Sequence, residues 1–177
     1  MRSLRNNEEG WFPNWLCFSL KPDVIIGNNY LWRWWILPRN PFFNIYLHKI
    51  MRSDDSRALH DHPWGNLSII LKGTYREVTL VDRNWLIQHS FDQDTFGEEE
   101  TVQLSRFAGE WVFRHARTPH RLVVSPGAPV WSLFVTGPRY RAWGFHLRDR
   151  WVHWRQYVAE YGDGHSEAST STEPDCL

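Results

Sequence analysis

The sequence predicts an all-β domain, either a sandwich or a barrel. Short apolar runs recur along the chain, and segments rich in Gly, Pro, Asp, Asn or Ser separate them. Long segments with the 3.6-residue period of an α-helix are scarce. Many short strands at regular spacing, with turn signals between them, are typical of sandwiches and barrels. The chain therefore has the pattern of one β-rich domain, without an internal repeat at a fixed period.

The strand predictions rest on short apolar or alternating runs that turn-forming residues bound on both sides. Such turns read PRNPF, SDDSR, LKGT, VDRN, RFAGE, SPGAP and TGPR. The predicted strands are Tyr30–Leu37, Asn44–Met51, Leu67–Leu71, Tyr75–Val81, Trp85–Ser90, Thr101–Leu104, Glu110–Arg114, His120–Val124, Val130–Thr136 and Ala142–Leu147.

Two terminal segments flank the predicted barrel, which spans residues 31–161 and includes a closing helix. Residues 1–30 are rich in aromatic residues and prolines, and we expect this N-terminal arm to pack on the barrel because its aromatic side chains need burial. Trp151–Tyr161 is the predicted C-terminal helix, since its large side chains share one helical face. Residues 162–177 carry four acids and no Lys or Arg, which predicts a disordered acidic tail.

Composition limits the classes of function. Twenty Lys and Arg balance twenty Asp and Glu among 177 residues, so no strongly basic surface for nucleic acid is expected. No apolar stretch approaches the roughly 18 residues of a membrane span, and the N-terminus lacks a signal-peptide pattern. Cys17 and Cys176 form neither a disulfide framework nor a thiolate zinc site. The sequence thus predicts a cytoplasmic protein with no membrane or nucleic-acid partner.

The strongest chemical signal is the segment His60-Asp61-His62. Residues two apart in a strand point to the same face, so His60 and His62 can present both imidazoles to one point inside a barrel. Imidazole suits Fe, Zn, Cu and Ni, and a third ligand from a neighbouring strand would complete a site with open coordination positions. By the same alternation Asp61 faces the other way, which favours a turn or surface partner over a catalytic base.

A second element lies downstream, where residues 109–121 read as strand, turn and strand. A tight turn between two short strands would bring His120 across the sheet towards the first motif. The two segments can therefore supply three histidines to one site.

Together, these segments resemble the two motifs of the cupin superfamily. The first cupin motif reads G, five residues, HxH, three or four residues, E, six residues, G, and His60, His62 and Gly73 match it. The second reads G, five residues, PxG, two residues, H, three residues, N, and Gly109 and His120 match it at the family's spacing. The resemblance covers about residues 44–147 and implies a cupin-type double-stranded β-helix, or jelly-roll barrel. More narrowly, the stretch around HDHPW is similar to cupin-like proteins of bacteria and phages.

The sequence departs from the cupin motifs at positions that change the implied metal ligands. Asn66 stands where the family carries its metal-binding Glu, so the resemblance implies a three-histidine site of His60, His62 and His120. The implied cofactor is a divalent transition metal, Fe(II) first, with Zn, Ni or Mn as alternatives. Three neutral ligands leave the charge of the ion uncompensated, which favours an anionic substrate or a bound hydroxide. His115 occupies the Pro position of the second motif.

Several further residues are candidates for the metal site or the substrate pocket, each with a plainer structural interpretation beside it. Asn66, His48 and His115 could bind the metal or line the pocket, or could be satisfied core or surface residues. Arg57 and Arg121 flank the histidines and could hold a carboxylate or phosphate, or lie solvated at strand edges. Trp64 and Trp111 could form pocket walls, although aromatic residues also fill any β core.

The favoured function is a mononuclear Fe(II)-type dioxygenase that acts on a small organic substrate. One alternative is a non-redox cupin that binds or isomerises a sugar-like or anionic small molecule. A second is a non-catalytic binding or assembly module, since aromatic and Arg enrichment is typical of interface cores. Cupins commonly dimerise, and exposed strand edges need covering, so a homodimer is expected.

Overall fold

The computed structural model describes residues 13–17, 19–27, 29–54, 58–80 and 101–161. In this part of the chain a 3-10 helix at Asn14–Cys17 precedes twelve strands and one α-helix, α1, at Trp154–Tyr161. The strands are β1 Val24–Ile26, β2 Leu31–Trp35, β3 Asn44–Ile50, β4 Leu59–His60, β5 Asn66–Lys72, β6 Thr74–Leu80, β7 Thr101–Phe107, β8 Trp111–Arg114, β9 His120–Val123, β10 Val130–Thr136, β11 Gly144–His146 and β12 Trp151–His153.

The strands form two antiparallel sheets of six. Sheet I has the order β1-β2-β3-β10-β5-β8, and sheet II has the order β12-β11-β4-β9-β6-β7. The eight strands from β3 to β10 therefore form β3-β10-β5-β8 in one sheet and β4-β9-β6-β7 in the other. This interleaving of two four-stranded sheets is the jelly-roll arrangement. The predicted all-β, jelly-roll fold with a short C-terminal helix is confirmed.

The core lies between the two sheets. Its largest cluster joins Ile50, Ile70 and Val130 of sheet I to Tyr75 of sheet II. Alternation in β10 turns every second side chain inward, so its buried residues recur with a period of two. One of these inward-facing residues, Phe134, lies beside the site described below.

The ends of the chain differ in part from the prediction. Trp151–His153 is a strand rather than the first turn of the helix, because its backbone pairs with β11. In the arm, β1 pairs with β2, and the buried Asp23 accepts a hydrogen bond from the backbone N of Trp35 at 2.8 Å. The predicted strand Trp85–Ser90 and the tail 162–177 lie outside the described residues.

Gly144 is a position where β11 and β12 approach too closely for any side chain. A Cβ built there would lie 2.1 Å from the backbone oxygen of Val152 and 2.8 Å from the Trp151 ring. We expect Gly144→Ala to lower the free energy of unfolding by about 3 kcal/mol, because a backbone atom cannot move aside cheaply. Urea unfolding tests this, with Gly137→Ala as the control, since a Cβ at Gly137 meets nothing closer than 3.7 Å. Equal stability of the two variants would contradict the steric argument.

No helix in the described ranges is long and apolar enough to cross a membrane. The cytoplasmic location stays a prediction.

Candidate metal centre

The three predicted histidines converge between the sheets. His60 at the end of β4 pairs in register with His120 at the start of β9, and His62 follows His60 by two residues. One nitrogen from each ring can be chosen so that the three atoms lie within 4.8 Å of one another. The ring centroids are 5.2 Å apart for His60 and His62, 4.8 Å for His60 and His120, and 5.1 Å for His62 and His120. The sequence prediction of a single three-histidine cluster therefore matches the structure.

Neighbouring groups hold two of the three rings, those of His120 and His62. His120 Nδ1 lies 3.0 Å from the carbonyl oxygen of Thr118, to which it donates a hydrogen bond in the neutral ring, so Nε2 keeps the lone pair. His62 stacks on Trp64 with centroids 4.6 Å apart. His60 Nδ1 lies 3.8 Å from Asp54 Oδ2, beyond hydrogen-bond range, and that oxygen accepts from the backbone N of Leu122.

Burial keeps two of these rings neutral. It lowers the pKa of His62 and His120 well below the ordinary value of 6.5, and the charge of His60 lowers both further. Positive charge on Arg114 acts in the same direction on both rings. Because neutral imidazole is the form that binds metals, the donor set fits a divalent transition ion at neutral pH.

His48 is interior but engaged with an arginine. It lies on β3 between the rings of Tyr46 and Phe134, and its Nε2 accepts a hydrogen bond from Arg33 Nε at 2.9 Å. Burial and the charge of Arg33 lower the pKa of His48 well below its usual value. His48 is therefore part of the interior wall and lies outside the three-histidine cluster.

Two aromatic side chains form the wall beside His62. Trp64 stacks on His62 and meets Phe134 edge-on with centroids 5.6 Å apart. Phe134 in turn lies 6.3 Å from His62 and 4.8 Å from His48. Trp64 therefore lies beside the histidine cluster, and its role as a pocket wall stays a prediction.

The structure corrects the pocket predictions for Trp111 and His115. Both are exposed, and Trp111 keeps 71% of its surface accessible. Alternation in β8 turns Val112 and Arg114 inward, so Trp111 before them and His115 after them face outward. Arg121 is half-buried, and alternation turns it to the face opposite His120. Arg57 lies outside the described residues.

The prediction missed a buried ionic network inside the barrel. Arg114 Nε donates to Glu77 Oε1, and Arg114 Nη2 donates to the Tyr75 hydroxyl at 3.0 Å. Arg106 Nε donates to Glu77 Oε2 at 2.8 Å. Burial alone would raise the pKa of Glu77, but the hydrogen bonds and charges of Arg114 and Arg106 outweigh it and lower that pKa. Alternation places Tyr75 and Glu77 on one face of β6, but no local pattern links them to Arg114, which is 37 residues from Glu77.

Asp61 has a structural role on the far side of the histidine segment. Its fully buried carboxylate binds Arg141 Nη1 at 2.8 Å, His146 Nε2 at 3.0 Å and Trp151 Nε1 at 3.1 Å. It also accepts from the backbone N of Gly144 at 2.8 Å. Asp61 therefore ties the segment that carries the ligands to β11 and β12, at a buried rather than a surface position.

Comparisons with known proteins give fold-level similarities only. No protein-family model matches the sequence, and no curated protein matches it either. Among solved structures, the Fe(II) form of HppE matches with 13% identity and a TM-score of 0.43, covering 63% of this chain and 53% of that one. This chain thus spans about half the length of HppE.

Two further structures show the same level of similarity. A protein of Klebsiella pneumoniae with a double-stranded β-helix domain has 13% identity and a TM-score of 0.45, covering 67% of this chain and 85% of that one. A cupin superfamily protein of Desulfitobacterium hafniense has 13% identity and a TM-score of 0.42, covering 66% and 84%. The strand order of the chain itself, rather than these matches, establishes that it is a jelly-roll protein.

Proposed function

We propose that this protein is a metal-dependent enzyme of the dioxygenase type that acts on a small organic molecule. The observation that carries the proposal is the convergence of three histidine nitrogens within 4.8 Å inside the barrel. His60, His62 and His120 would hold one divalent ion, Fe(II) first, with Zn, Ni or Mn as alternatives. A bound first-row ion supplies open coordination positions and the redox access to O₂ that no side chain has.

The residues around the histidines prepare such a site. The Thr118 carbonyl fixes the His120 ring, so that its orientation is set before any ligand arrives. Trp64 and Phe134 lie against one side of His62. The geometry thus places the ligands beside an aromatic wall, and aromatic lining with a few polar groups is usual for a small-molecule pocket.

Oxygen uptake tests the proposed reaction class. Metal-free protein is loaded anaerobically with Fe(II) and mixed with oxygen and candidate thiols, diketones or carboxylates. We expect substrate-dependent uptake in the wild type and none in His62→Ala, since this variant lacks one ligand. His115→Ala is the matched control, because His115 is exposed and lies outside the cluster. Stoichiometric metal without uptake would favour the non-redox alternative, and protein that binds no metal would favour the binding or assembly module.

A homodimer is the second part of the proposal. β8 ends sheet I among the described strands, and two large side chains beside that edge, Trp111 and Phe113, are 71% and 63% exposed. Exposed edges and apolar patches are surfaces that soluble proteins usually cover. Light scattering after size-exclusion chromatography is expected to give twice the chain mass of 21.2 kDa, and a monomer would contradict this.

A further inference from the structure

Three polar side chains lie side by side on the inner face of sheet I. Thr136 on β10 pairs in register with Asn66 on β5, and Asn66 pairs with Arg114 on β8. Their exposed fractions are 1%, 2% and 4%. We call Thr136, Asn66 and Arg114 the polar row. Its members come from three neighbouring strands, so the sheet fixes their spacing.

Two members of the polar row have polar atoms without partners. Both amide atoms of Asn66 and the hydroxyl of Thr136 are buried and make no hydrogen bond among the described residues. Buried polar groups in folded proteins are nearly always satisfied by protein, ligand or ordered water. The pair therefore offers unused donors and an unused acceptor to whatever enters the barrel at this point.

The third member brings a fixed positive charge. Glu77 and the Tyr75 hydroxyl hold Arg114 through Nε and Nη2, and neither contact uses Nη1. Glu77 also accepts a hydrogen bond from Arg106, whose Nη1 lies 3.9 Å from Glu110 Oε2. Arg114 therefore keeps one guanidinium nitrogen outside these contacts, in a low-dielectric interior where its charge acts more strongly on a nearby anion than it would in water.

The polar row lies close to the histidines along two strands. Asn66 is four residues after His62, and Trp64 between them stacks on the His62 ring. Thr136 follows Phe134 on the same face of β10, and the Phe134 ring lies 6.3 Å from that of His62. Trp64 and Phe134 thus connect the polar row to the His62 ring.

We propose that the polar row is a subsite for the oxyanion group of the substrate, with Arg114 supplying charge and the Asn66 amide and Thr136 hydroxyl supplying hydrogen bonds. The substrate class is a small organic anion, a carboxylate or a phosphonate. This assignment rests on the proposed function, because it identifies the molecule held beside the metal site. The Asn66 position therefore binds substrate rather than the ion.

Binding of simple anions to metal-free protein tests the subsite. The probes are propionate, methylphosphonate and neutral propionamide, titrated while NMR follows the side-chain amide of Asn66. We expect one or both anions to shift this resonance with saturation, and propionamide to leave it unchanged. The anion with the lower Kd identifies the substrate group as carboxylate or phosphonate.

Two variants separate binding from folding. Thr136→Val and Asn66→Leu remove the unpartnered groups at nearly constant volume, and each is expected to weaken anion binding at least about tenfold. Their melting temperatures should equal or exceed that of the wild type, because no protein hydrogen bond is lost. Anion binding to Asn66→Leu is followed through the Trp64 indole resonance. Ser132→Ala, which removes another buried hydroxyl from the same face of β10, should bind anions within about twofold of the wild type.

The outcomes distinguish this inference from the proposed function. Failure of both anions to bind metal-free protein, or equal binding by Thr136→Val and wild type, would overturn the subsite whatever metal the protein holds. If anions bind through the polar row but no metal binds at the histidines, the subsite stands and the enzymatic proposal falls.

Discussion

Replacing His120 with alanine is expected to abolish the thermal stabilisation that a divalent metal gives this protein. A ligand that binds only the folded state stabilises it, by about 4 kcal/mol when its concentration is a thousand times its Kd. His120 contributes one of three converging nitrogens, and the bond to Thr118 fixes its ring. Thermal unfolding of metal-free protein, with and without added Fe(II), Ni(II) or Zn(II), measures the effect, and His62→Ala should behave in the same way.

His115→Ala provides the control for this experiment. It removes an imidazole only five residues before His120, but one that is exposed and lies outside the cluster. Its melting temperature should rise with metal as much as that of the wild type. If His120→Ala responded to metal as strongly as His115→Ala, the three-histidine centre would be contradicted.

Glu77→Ala is expected to lower the free energy of unfolding by about 3–5 kcal/mol, the usual cost of removing one partner of a buried ion pair. Glu77 is 3% exposed and joins Arg114 of sheet I to sheet II. Its removal leaves Arg114, which is 4% exposed, with an uncompensated charge between the sheets. Urea unfolding at neutral pH measures the loss.

A double variant and a pH series sharpen this prediction. Glu77→Leu combined with Arg114→Met removes both charges and should recover much of the lost stability, since matched apolar replacements are often neutral. The folded-state pKa of Glu77 is lowered from 4.5, so its contribution is fully present above pH 4.5 and is lost as the pH falls through the folded value. A wild type whose acid unfolding matches that of the double variant would contradict a stabilising role for Glu77.

The fold could be predicted largely from local sequence patterns. Alternation and turn residues located β3, β6 and β10 within one or two residues, because each is long enough to show a period of two. β1 and β4 have three residues and two residues, too few to show any period. The sequence predicts β12 as part of the C-terminal helix, because only its pairing with β11 distinguishes a strand from a helical turn at these residues.

The site was predictable where its signal was local. His60 and His62 follow from strand alternation, and His120 follows from the resemblance of its spacing to a known motif. The ionic network in the interior could not be predicted from local patterns, because Arg114 and Glu77 lie 37 residues apart and meet only across the barrel. Trp111, a candidate pocket wall from the sequence, lies on the outer face of β8, because Val112 and Arg114 occupy the inner face.

The most direct test of the metal centre is the metal content of the protein purified without a metal-chelating tag. Elemental analysis is expected to find close to one first-row transition ion per chain, and the variants His60→Ala and His120→Ala should lose it while remaining folded. A wild-type protein that contains no such metal, and that also fails to bind added Fe(II), Ni(II) or Zn(II), would contradict the proposed centre.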